Sequence, residues 1–553
     1  MINALSIARV TFALGLSGMM VFSVGAATYC VGPSATGNGS GTNWSNLKAW
    51  SSTPVRGDTW YLAGGLGNYA SKSFSTPNSG STAIVIKKAI ASDHYTDSGW
   101  TSTYANQAVI YGSLSFTTDY WIFNGQTRNE DDWFDVSAYG IQIQQPSGNY
   151  SSSITYWSSY STISYVGINA NVVTATTPST TVGDYQINWY SGGSYPINVQ
   201  ANVSHCLVQG GNNHFYMRWC RQCTLEYSAS TGLSGNAANH AECVNWYGCF
   251  GVCDTLTVRY CKFYNNTSTS GTTAMIAICG PAPNCSIYGN IFYNCACGDG
   301  MIGWNGTASG IQNLKIYNNT IIGHVGNWPT GIVLDTASSG CVAYNNIWYD
   351  ANTPNFVTVS HDYNACNVNL GEAHSQILSS SGLFFNYAAG DFRLTADTAT
   401  GLTLPSPYDT DMLGTARGAS GAWSRGAYQY TTVSTNPVMS VTPASLNFGS
   451  VVTNTASQFT ATVKNIGGGT LAYTANVAAP FYILSGGTNS LSANQSQTVT
   501  LQYRPTVVGA NAQVATFNGG GGATINLTGV AVTLAARAEA PLPPQNLSVI
   551  ATR

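Results

Sequence analysis

The sequence predicts an all-β chain, in which a solenoid of parallel strands is followed by a small β-sandwich. Three observations predict this fold class. One short phrase returns six times between residues 200 and 350, and a second β-rich phrase recurs in phase with it. The composition, with 59 Gly, 33 Tyr and 14 Trp in 553 residues, is typical of turns and aromatic β-structure. A regular internal repeat of this kind indicates stacked structural units.

The first phrase places Cys or Asn at one fixed position after a short apolar strand, as in Ile316–Ile321, IYNNTI. The six aligned positions are Cys206, Cys223, Cys261, Asn290, Asn319 and Asn346. The steps between them are 17, 38, 29, 29 and 27 residues, and 38 can hold two coils of 19. Each phrase is therefore interpreted as one rung. Stacked amides can hydrogen-bond along such a column, and thiols are compact and apolar enough to fill an inward corner.

The second phrase follows turns that contain Asn or Gly. It comprises residues 215–219, 241–245, 275–278, 301–304 and 332–334. Two short β segments per coil, separated by polar turns, predict a cylinder of parallel sheets.

These repeats, IYNNTI above all, resemble the right-handed parallel β-helix superfamily of pectate-lyase-like proteins. Residues 28–33 and 57–65 resemble the start of exported β-helix proteins, and Gly390–Leu394 with Arg425–Tyr428 resembles their end. The resemblance implies a right-handed parallel β-helix over residues 28–430, with an N-terminal cap and a C-terminal closing segment. Caps are needed because a bare terminal rung exposes an open sheet edge.

The amino terminus has the pattern of a signal peptide over residues 1–27. Arg9 precedes an apolar run over residues 10–24, and small residues follow it. The sequence therefore predicts export, with the mature protein secreted, extracellular or at the cell surface. No later run reaches 18 consecutive apolar residues, so no membrane span is predicted.

After a polar linker over residues 431–437, strict alternation over residues 438–532 predicts an immunoglobulin-like β-sandwich. Val441–Pro443, Asn465–Gly467 and Tyr503–Pro505 resemble Hydin-type immunoglobulin-like domains of exported bacterial proteins, which usually space or present another domain. Residues 533–553 are interpreted as a linker or tail. Their segment PLPPQNLSV resembles the first strand of a truncated fibronectin type III domain.

The low charge of the chain limits the classes of partner that it can bind. Only 7% of residues are charged and the net charge is -3, so the chain lacks the basic surface that binds nucleic acid or an anionic membrane. The β-helix resemblance implies a polysaccharide or a cell-surface glycan as partner. No cofactor is evident. Acidic residues at EF-hand spacing are absent from the sequence, so a calcium site would have to be assembled across rungs.

The cysteines allow two structural interpretations. Of 14, 13 lie between Cys206 and Cys366, where Cys253, Cys285 and Cys341 are expected to share a second column. Thiols on adjacent rungs lie about 4.8 Å apart by strand spacing, which leaves unpaired thiols and disulfides both open. Zinc is the weaker interpretation, because the CxxC at residues 220–223 has no second CxxC or His pair at finger spacing.

Strand alternation predicts a candidate site on two adjacent coils. If Phe215, Met217 and Trp219 share one face, the other carries the predicted site residues. The predicted catalytic residues are His240 or Glu242 as base and Arg218 as charge stabiliser. The predicted substrate-binding residues are His214, Tyr216, Asn245 and Trp304. The alternative is a hydrogen-bonded stack without chemistry.

Two function classes follow. The first is a secreted protein that binds and cleaves an extracellular polysaccharide, a polysaccharide lyase rather than a glycoside hydrolase. A lyase needs a base and a group that stabilises enolate-like charge, whereas a hydrolase needs two carboxylates at a set separation. The alternative is a non-catalytic surface or matrix β-helix, an adhesin or structural protein with the β-sandwich as spacer.

Overall fold

The computed structural model describes residues 27–174, 177, 182–183, 185–189, 197–236, 241–248, 253–269, 272–298, 300–304, 310–326, 328–431, 436–493 and 495–533. Outside these residues lie most of the predicted signal peptide 1–27 (residues 1–26), most of the linker 431–437 (residues 432–435) and most of the tail 533–553 (residues 534–553). The chain divides into two compact units, residues 1–93 with 97–362, and residues 94–96 with 363–553.

The first unit is a parallel β-helix, and its first sheet contains thirteen described strands. In sheet order they are Lys48–Ala49, Thr28–Gly32, Thr59–Leu62, Ile84–Lys88, Trp121–Asn124, Thr162–Ser164, Asn202–Ser204, Thr224–Glu226, Thr257–Arg259, Ser286–Tyr288, Lys315–Tyr317, Val342–Tyr344 and Ser360–Asp362. Every neighbouring pair is parallel, so each strand belongs to a successive coil.

Two further parallel ladders run along the coils; they are joined into one twenty-stranded sheet, and we call them the second and the third sheet. The strands of the second sheet are Tyr69–Phe74, Ala108–Phe116, Ile141–Gln144, Val166–Asn169, Leu207–Gln209, Ala229–Thr231, Lys262–Tyr264, Ile291–Tyr293, Thr320–Ile322 and Ile347–Tyr349. The strands of the third sheet are Ile154–Tyr156, Tyr185–Trp189, Asn213–Arg218, Glu242–Tyr247, Ile276–Cys279, Ile302–Trp304, Ile332–Val333 and Phe356–Val357. The first two strands of the second sheet also reach the third.

Short elements complete the list. Tyr150–Ser151 pairs with Val182–Gly183, and Asn198–Val199 pairs with Cys220–Arg221. Among the described residues the helical segments are one short α-helix and four 3₁₀ turns, namely Ala91–His94, Ser102–Ala105, Val136–Ala138, Ser381–Leu383 and Tyr387–Ala389. The repeating coils between residues 121 and 357 thus have three strands where the sequence predicted two, because the first phrase covers two strands that meet at a sharp corner.

At that corner the chain turns through one residue in the left-handed conformation on every rung. These residues include His205, Tyr227, Tyr260, Gly289, Asn318 and Asn345, with φ between 47° and 66°. At Gly289 a Cβ would lie 2.6 Å from the ring of Tyr260, so space favours glycine there, whereas the other rungs hold non-glycine residues in the same conformation.

The register corrects the predicted Cys/Asn column. Ser204 pairs with Glu226, so the residue in register with Cys206 is Ser228, not Cys223. The amide of Cys206 donates to Ser228 Oγ at 3.1 Å. The column is therefore Cys206, Ser228, Cys261, Asn290, Asn319 and Asn346. The prediction was wrong at Cys223 because it followed residue identity, whereas the corner accepts any small hydrogen-bonding side chain.

The asparagines of this column form a continuous buried ladder, which confirms the proposed stack. Asn290 Nδ2 donates to Asn319 Oδ1 at 3.0 Å, and Asn319 Nδ2 donates to Asn346 Oδ1 at 3.0 Å. The backbone N–H of Asn290 and of Asn319 donates to the same oxygens at 3.0 and 2.9 Å. All three side chains are fully buried, so the ladder satisfies polar groups that water cannot reach.

The second cysteine column is also shifted. Leu256, Cys285, Leu314 and Cys341 are in register, with Cys223 below them, and Cys253 does not belong to it. Twelve described cysteines are free and buried, and Cys279 is disulfide-bonded. Both structural interpretations of the cysteines therefore occur in this chain.

The second unit begins with the parallel pair Ala365–Cys366 and Gln376–Ile377 and the antiparallel pair Phe384–Asn386 and Asp391–Leu394. A β-sandwich follows. Its four-stranded sheet contains Met439–Thr442, Ser457–Asn465, Ser496–Tyr503 and Phe481–Ser485, and its five-stranded sheet contains Ser445–Val452, Ala523–Val532, Gly509–Asn518, Thr470–Asn476 and Thr488–Ser492. The two sheets enclose one core that includes Val463, Phe481 and Leu527.

The predicted fold class is confirmed. The chain is all-β, with a parallel β-helix solenoid followed by a small β-sandwich. The exact domain boundaries and the Hydin-type identity of the sandwich stay predictions.

Candidate functional site

The candidate site lies on the third sheet, where three adjacent rungs are in register. Asn188 pairs with Tyr216 and Tyr216 with Asn245, and one residue later Trp189 pairs with Met217 and Met217 with Trp246. Trp189, Met217 and Trp246 are fully buried. Because side chains alternate along a strand, their neighbours point to the opposite, outer side of the sheet, where Asn188, Tyr216 and Asn245 are nevertheless buried. We call Asn188, Tyr216 and Asn245 the Asn–Tyr–Asn row.

The row contains two buried acceptors without donors. Asn188 is 5% and Asn245 is 6% exposed, and within the described residues neither Oδ1 accepts a hydrogen bond. A buried amide oxygen without a donor costs about 1–3 kcal/mol, so such groups need an explanation such as a ligand or an ordered water. The two oxygens flank Tyr216, one rung above and one rung below.

Tyrosine rings and one cation border the row. Tyr185 stacks on Tyr216 with centroids 3.6 Å apart and planes at 18°, and Tyr216 lies 5.6 Å from Tyr247. The guanidinium of Arg218 lies 5.7 Å from the Tyr247 centroid. Burial, followed by the neighbouring Tyr185, raises the pKa of Tyr216 far above its ordinary value, so its hydroxyl stays protonated. This part of the sheet therefore carries the protonated hydroxyl of Tyr216 and the half-exposed guanidinium of Arg218.

Glu242 lies next to the row but not at the surface. It is fully buried, its register partner is Asn213, and its Oε2 accepts a hydrogen bond from Asn245 Nδ2 at 3.5 Å. Its contact therefore orients the Asn245 amide and leaves Oδ1 of that amide directed away from the carboxylate.

His214 does not lie on the predicted face with Tyr216 and Arg218. Its ring is fully buried, and Nδ1 hydrogen-bonds to Ser230 Oγ of the second sheet at 2.7 Å. Burial lowers its pKa to about 3. The prediction that His214 binds substrate is corrected, because strict alternation does not hold beside the corner between the two sheets, where His214 and Phe215 are both buried.

Two predicted site residues have no side-chain description. His240 lies outside the described residues. Trp304 ends the strand Ile302–Trp304, and its backbone is in register with Ile278, which pairs with Trp246. Its register position therefore belongs to the Met217–Trp246 column and not to the Asn–Tyr–Asn row.

Sequence analysis missed Tyr185, Asn188 and Tyr247. The first two lie in the stretch 128–196, which shows no repeat because long connections interrupt it. A signal was nevertheless present: the pairs Asn188-Trp189, Tyr216-Met217 and Asn245-Trp246 each place a hydrogen-bonding residue before a large apolar one.

Neither a metal centre nor a membrane helix is found in the described part of the chain. No group of three or more His, Cys, Asp or Glu residues there could hold a metal ion. Similarly, no helix among those residues is long and apolar enough to cross a membrane.

No family model and no curated protein matches the chain. Among solved structures, a PL6 family polysaccharide lyase from Pseudopedobacter saltans is 11% identical and has a TM-score of 0.32, covering 64% of this chain and 94% of its own. A mannuronic acid specific family 6 lyase from human gut microbiota is 12% identical with a TM-score of 0.29, over 65% and 92% of the two chains. The PapD-like domain 7 of human CEP192 is 14% identical with a TM-score of 0.16, covering 19% of this chain and 93% of its own.

Proposed function

We propose that this chain binds an acidic polysaccharide along the outward face of its third sheet. The observation that carries the proposal is the Asn–Tyr–Asn row, with its two buried amide oxygens that accept no hydrogen bond from the described residues. Sugar hydroxyls are suitable donors for such oxygens. Arg218 supplies the charge that pairs with a uronic acid carboxylate, and the rungs repeat along the direction in which an extended polymer would lie.

The chemistry this face supports best is β-elimination. A lyase uses one base to remove the proton beside the carboxylate and one cation to stabilise the resulting charge. Arg218 is the proposed cation, and Glu242 or His240 is the proposed base. A hydrolase needs two carboxylates. The described strands of this face, residues 185–189, 213–218 and 242–247, contain one, Glu242.

A second candidate function is binding without turnover. The specific observation that favours it is the complete burial of His214 and Glu242, which keeps two proton-transfer groups away from the surface. In that case the protein is a surface or matrix glycan-binding β-helix.

We further propose that the protein is exported, with residues 438–532 as a Hydin-type spacer. The support is the signal-peptide pattern around Arg9 and the alternating strands of the sandwich. A calcium requirement is tested most directly by repeating the activity screen with a chelator.

The test is a screen of the purified full chain on alginate, pectin and glycosaminoglycans. Binding is measured by affinity electrophoresis, and cleavage by the ultraviolet absorbance of new unsaturated uronic ends. We expect Arg218→Met to lose binding about 10-fold or more, since a charge-assisted hydrogen bond contributes about 1.5–3 kcal/mol. Arg221→Met, on an exposed arginine outside this face, is the matched control.

The outcomes separate the candidates. Absorbance that rises and is lost in Glu242→Gln or His240→Ala identifies a lyase and its base. Binding that depends on Arg218 without any new absorbance identifies the non-catalytic glycan binder. The proposal is refuted if the protein neither binds nor cleaves any of these polymers.

A further inference from the structure

The five-stranded sheet of the β-sandwich has an unusual outward face, because none of its strands contains a charged residue. Across residues 438–532 the charged side chains are Lys464 and Arg504. Lys464 lies in the four-stranded sheet, and Arg504 directly follows the strand Ser496–Tyr503 of that sheet. The exposed positions of the five strands are occupied by Thr, Ser, Asn, Ala, Val and Gly. This face offers hydrogen bonds without charge.

Part of this face is concave. A cavity of about 570 Å³ is lined by Ala472, Thr474, Thr488, Ser490, Asn518 and Gly519, together with Tyr473 and Asn489. We call it the neutral basin. Its floor is made of small residues. On one side Ala472 pairs with Ser490. On the other side the strand Thr470–Asn476 pairs with the strand Gly509–Asn518 only from Thr474 onward.

Gly519 shapes the wall of the basin. It has φ of 113°, and a Cβ there would lie 2.3 Å from the carbonyl oxygen of Ala472. Any other residue would push the turn away from the strand. Glycine at this position thus lets the backbone approach Ala472 and keeps the basin open above it.

A row of polar side chains crosses the basin. Thr488, Thr474 and Asn518 are in register on three adjacent strands, so they lie about 4.8 Å apart by strand spacing. All three are exposed, and none of their side chains makes a hydrogen bond to another described residue. Their side chains are short and rest on a rigid sheet, so ordering them costs little entropy.

We infer that the neutral basin binds a sugar unit of an uncharged glycan. A hydroxyl both donates and accepts, and an amide does the same through two atoms, which matches the alternating donors and acceptors of a polyol. Ala472 and the Gly519 backbone offer an apolar patch to the C–H face of a pyranose ring. A charged sugar has no partner in the five strands, so the chemistry of the lining selects neutral units. This site is separate from the Asn–Tyr–Asn row and goes beyond the proposed function.

The test uses the full chain in affinity electrophoresis, in gels that contain xylan, mixed-linkage β-glucan or galactomannan. We expect at least one of these gels to retard the wild type. The double variant Thr474→Ala/Thr488→Ala should weaken that binding about 25-fold, since each lost hydrogen bond of about 1 kcal/mol is worth roughly 5-fold. Thr524→Ala/Thr528→Ala, on exposed threonines of the same sheet outside the basin, should bind like the wild type.

A second variant, Ala472→Phe, fills the basin without removing a hydroxyl and should also abolish binding; circular dichroism checks that each variant is folded. The inference is overturned if no uncharged polysaccharide retards the wild type, or if folded variants bind unchanged. Retardation by alginate alone, lost in Arg218→Met, would overturn the inference while supporting the proposed function. A concentration-dependent dimer that is lost in Ala472→Phe would assign the basin to self-association instead.

Discussion

His214 makes the β-helix sensitive to acid in a way that a single substitution removes. Its ring is fully buried against Ser230, and burial lowers its pKa from an ordinary 6.5 to about 3. Between those values the unfolded chain binds a proton that the folded chain does not. The free energy of unfolding therefore falls as the pH drops through this window, and the contribution of the neutral ring is complete only above pH 6.5.

The size of the effect follows from the same values. Each pH unit in the window is worth about 1.4 kcal/mol, so full acidification from 6.5 to 3 removes on the order of 5 kcal/mol. At two units below the ordinary pKa the expected loss is about 3 kcal/mol. That is a large share of the stability of an ordinary domain.

The assay is urea unfolding followed by tryptophan fluorescence at several pH values between neutral and mildly acidic. His214→Gln removes the titrating group. We expect it to be less stable than the wild type at neutral pH because the Ser230 contact changes, but to lose about 3 kcal/mol less on acidification. His374→Gln, on an exposed histidine, is the control and should track the wild type. If the wild type and His214→Gln lose stability in parallel, the reasoning about His214 is refuted.

Three further predictions concern the interior. Asn319→Ala should lower the free energy of unfolding in urea by about 3 kcal/mol, because it leaves buried groups of the ladder without partners. Asn319→Cys should lower it less, since Cys261 occupies the same column, and equal losses in the two variants would contradict the ladder argument. Burial lowers the pKa of Lys88 to about 7, so stability should rise between pH 7 and 10.5, and a Lys88→Met variant that keeps this rise would contradict the assignment. The twelve buried free thiols should not react with a thiol reagent in the native protein and should all react in denaturant; rapid native labelling would be the contrary result.

Much of the β-helix could be predicted from the sequence because the same residue type recurs at the same corner of successive coils. Asn290, Asn319 and Asn346 occupy the same corner in the structure, as their spacing indicated. The register of the coils before Asn290 was harder to predict, because Ser228 occupies the same corner position as Cys206 and Cys261 although it is a different residue type. Residue identity then favoured Cys223, which lies on a different column.

The candidate site was predicted only in part, for two physical reasons. Alternation along a strand identifies the face of Tyr216 and Asn245, but it does not hold beside the corner, where His214 is buried. The third residue of the row, Asn188, follows a segment with no visible period. Such a residue can be placed only when the register of the coils is known.

The corner column also explains how this solenoid combines polar turns with a dry interior. At Cys261 a thiol fills the corner, and its Sγ lies 3.3 Å from the carbonyl oxygen of Arg259 in its own coil and 3.8 Å from that of Leu225 in the preceding coil. In the upper coils the amide of Asn319 donates to the carbonyl of Ile287 at 3.0 Å and also bonds its neighbours in the column. Both side-chain types keep water out, and the asparagine amide, like the Ser228 hydroxyl that accepts from the Cys206 N–H, also links successive coils by hydrogen bonds. Because stability in a solenoid is approximately a sum over neighbouring coils, these side-chain hydrogen bonds strengthen the interfaces between the coils of Asn290, Asn319 and Asn346.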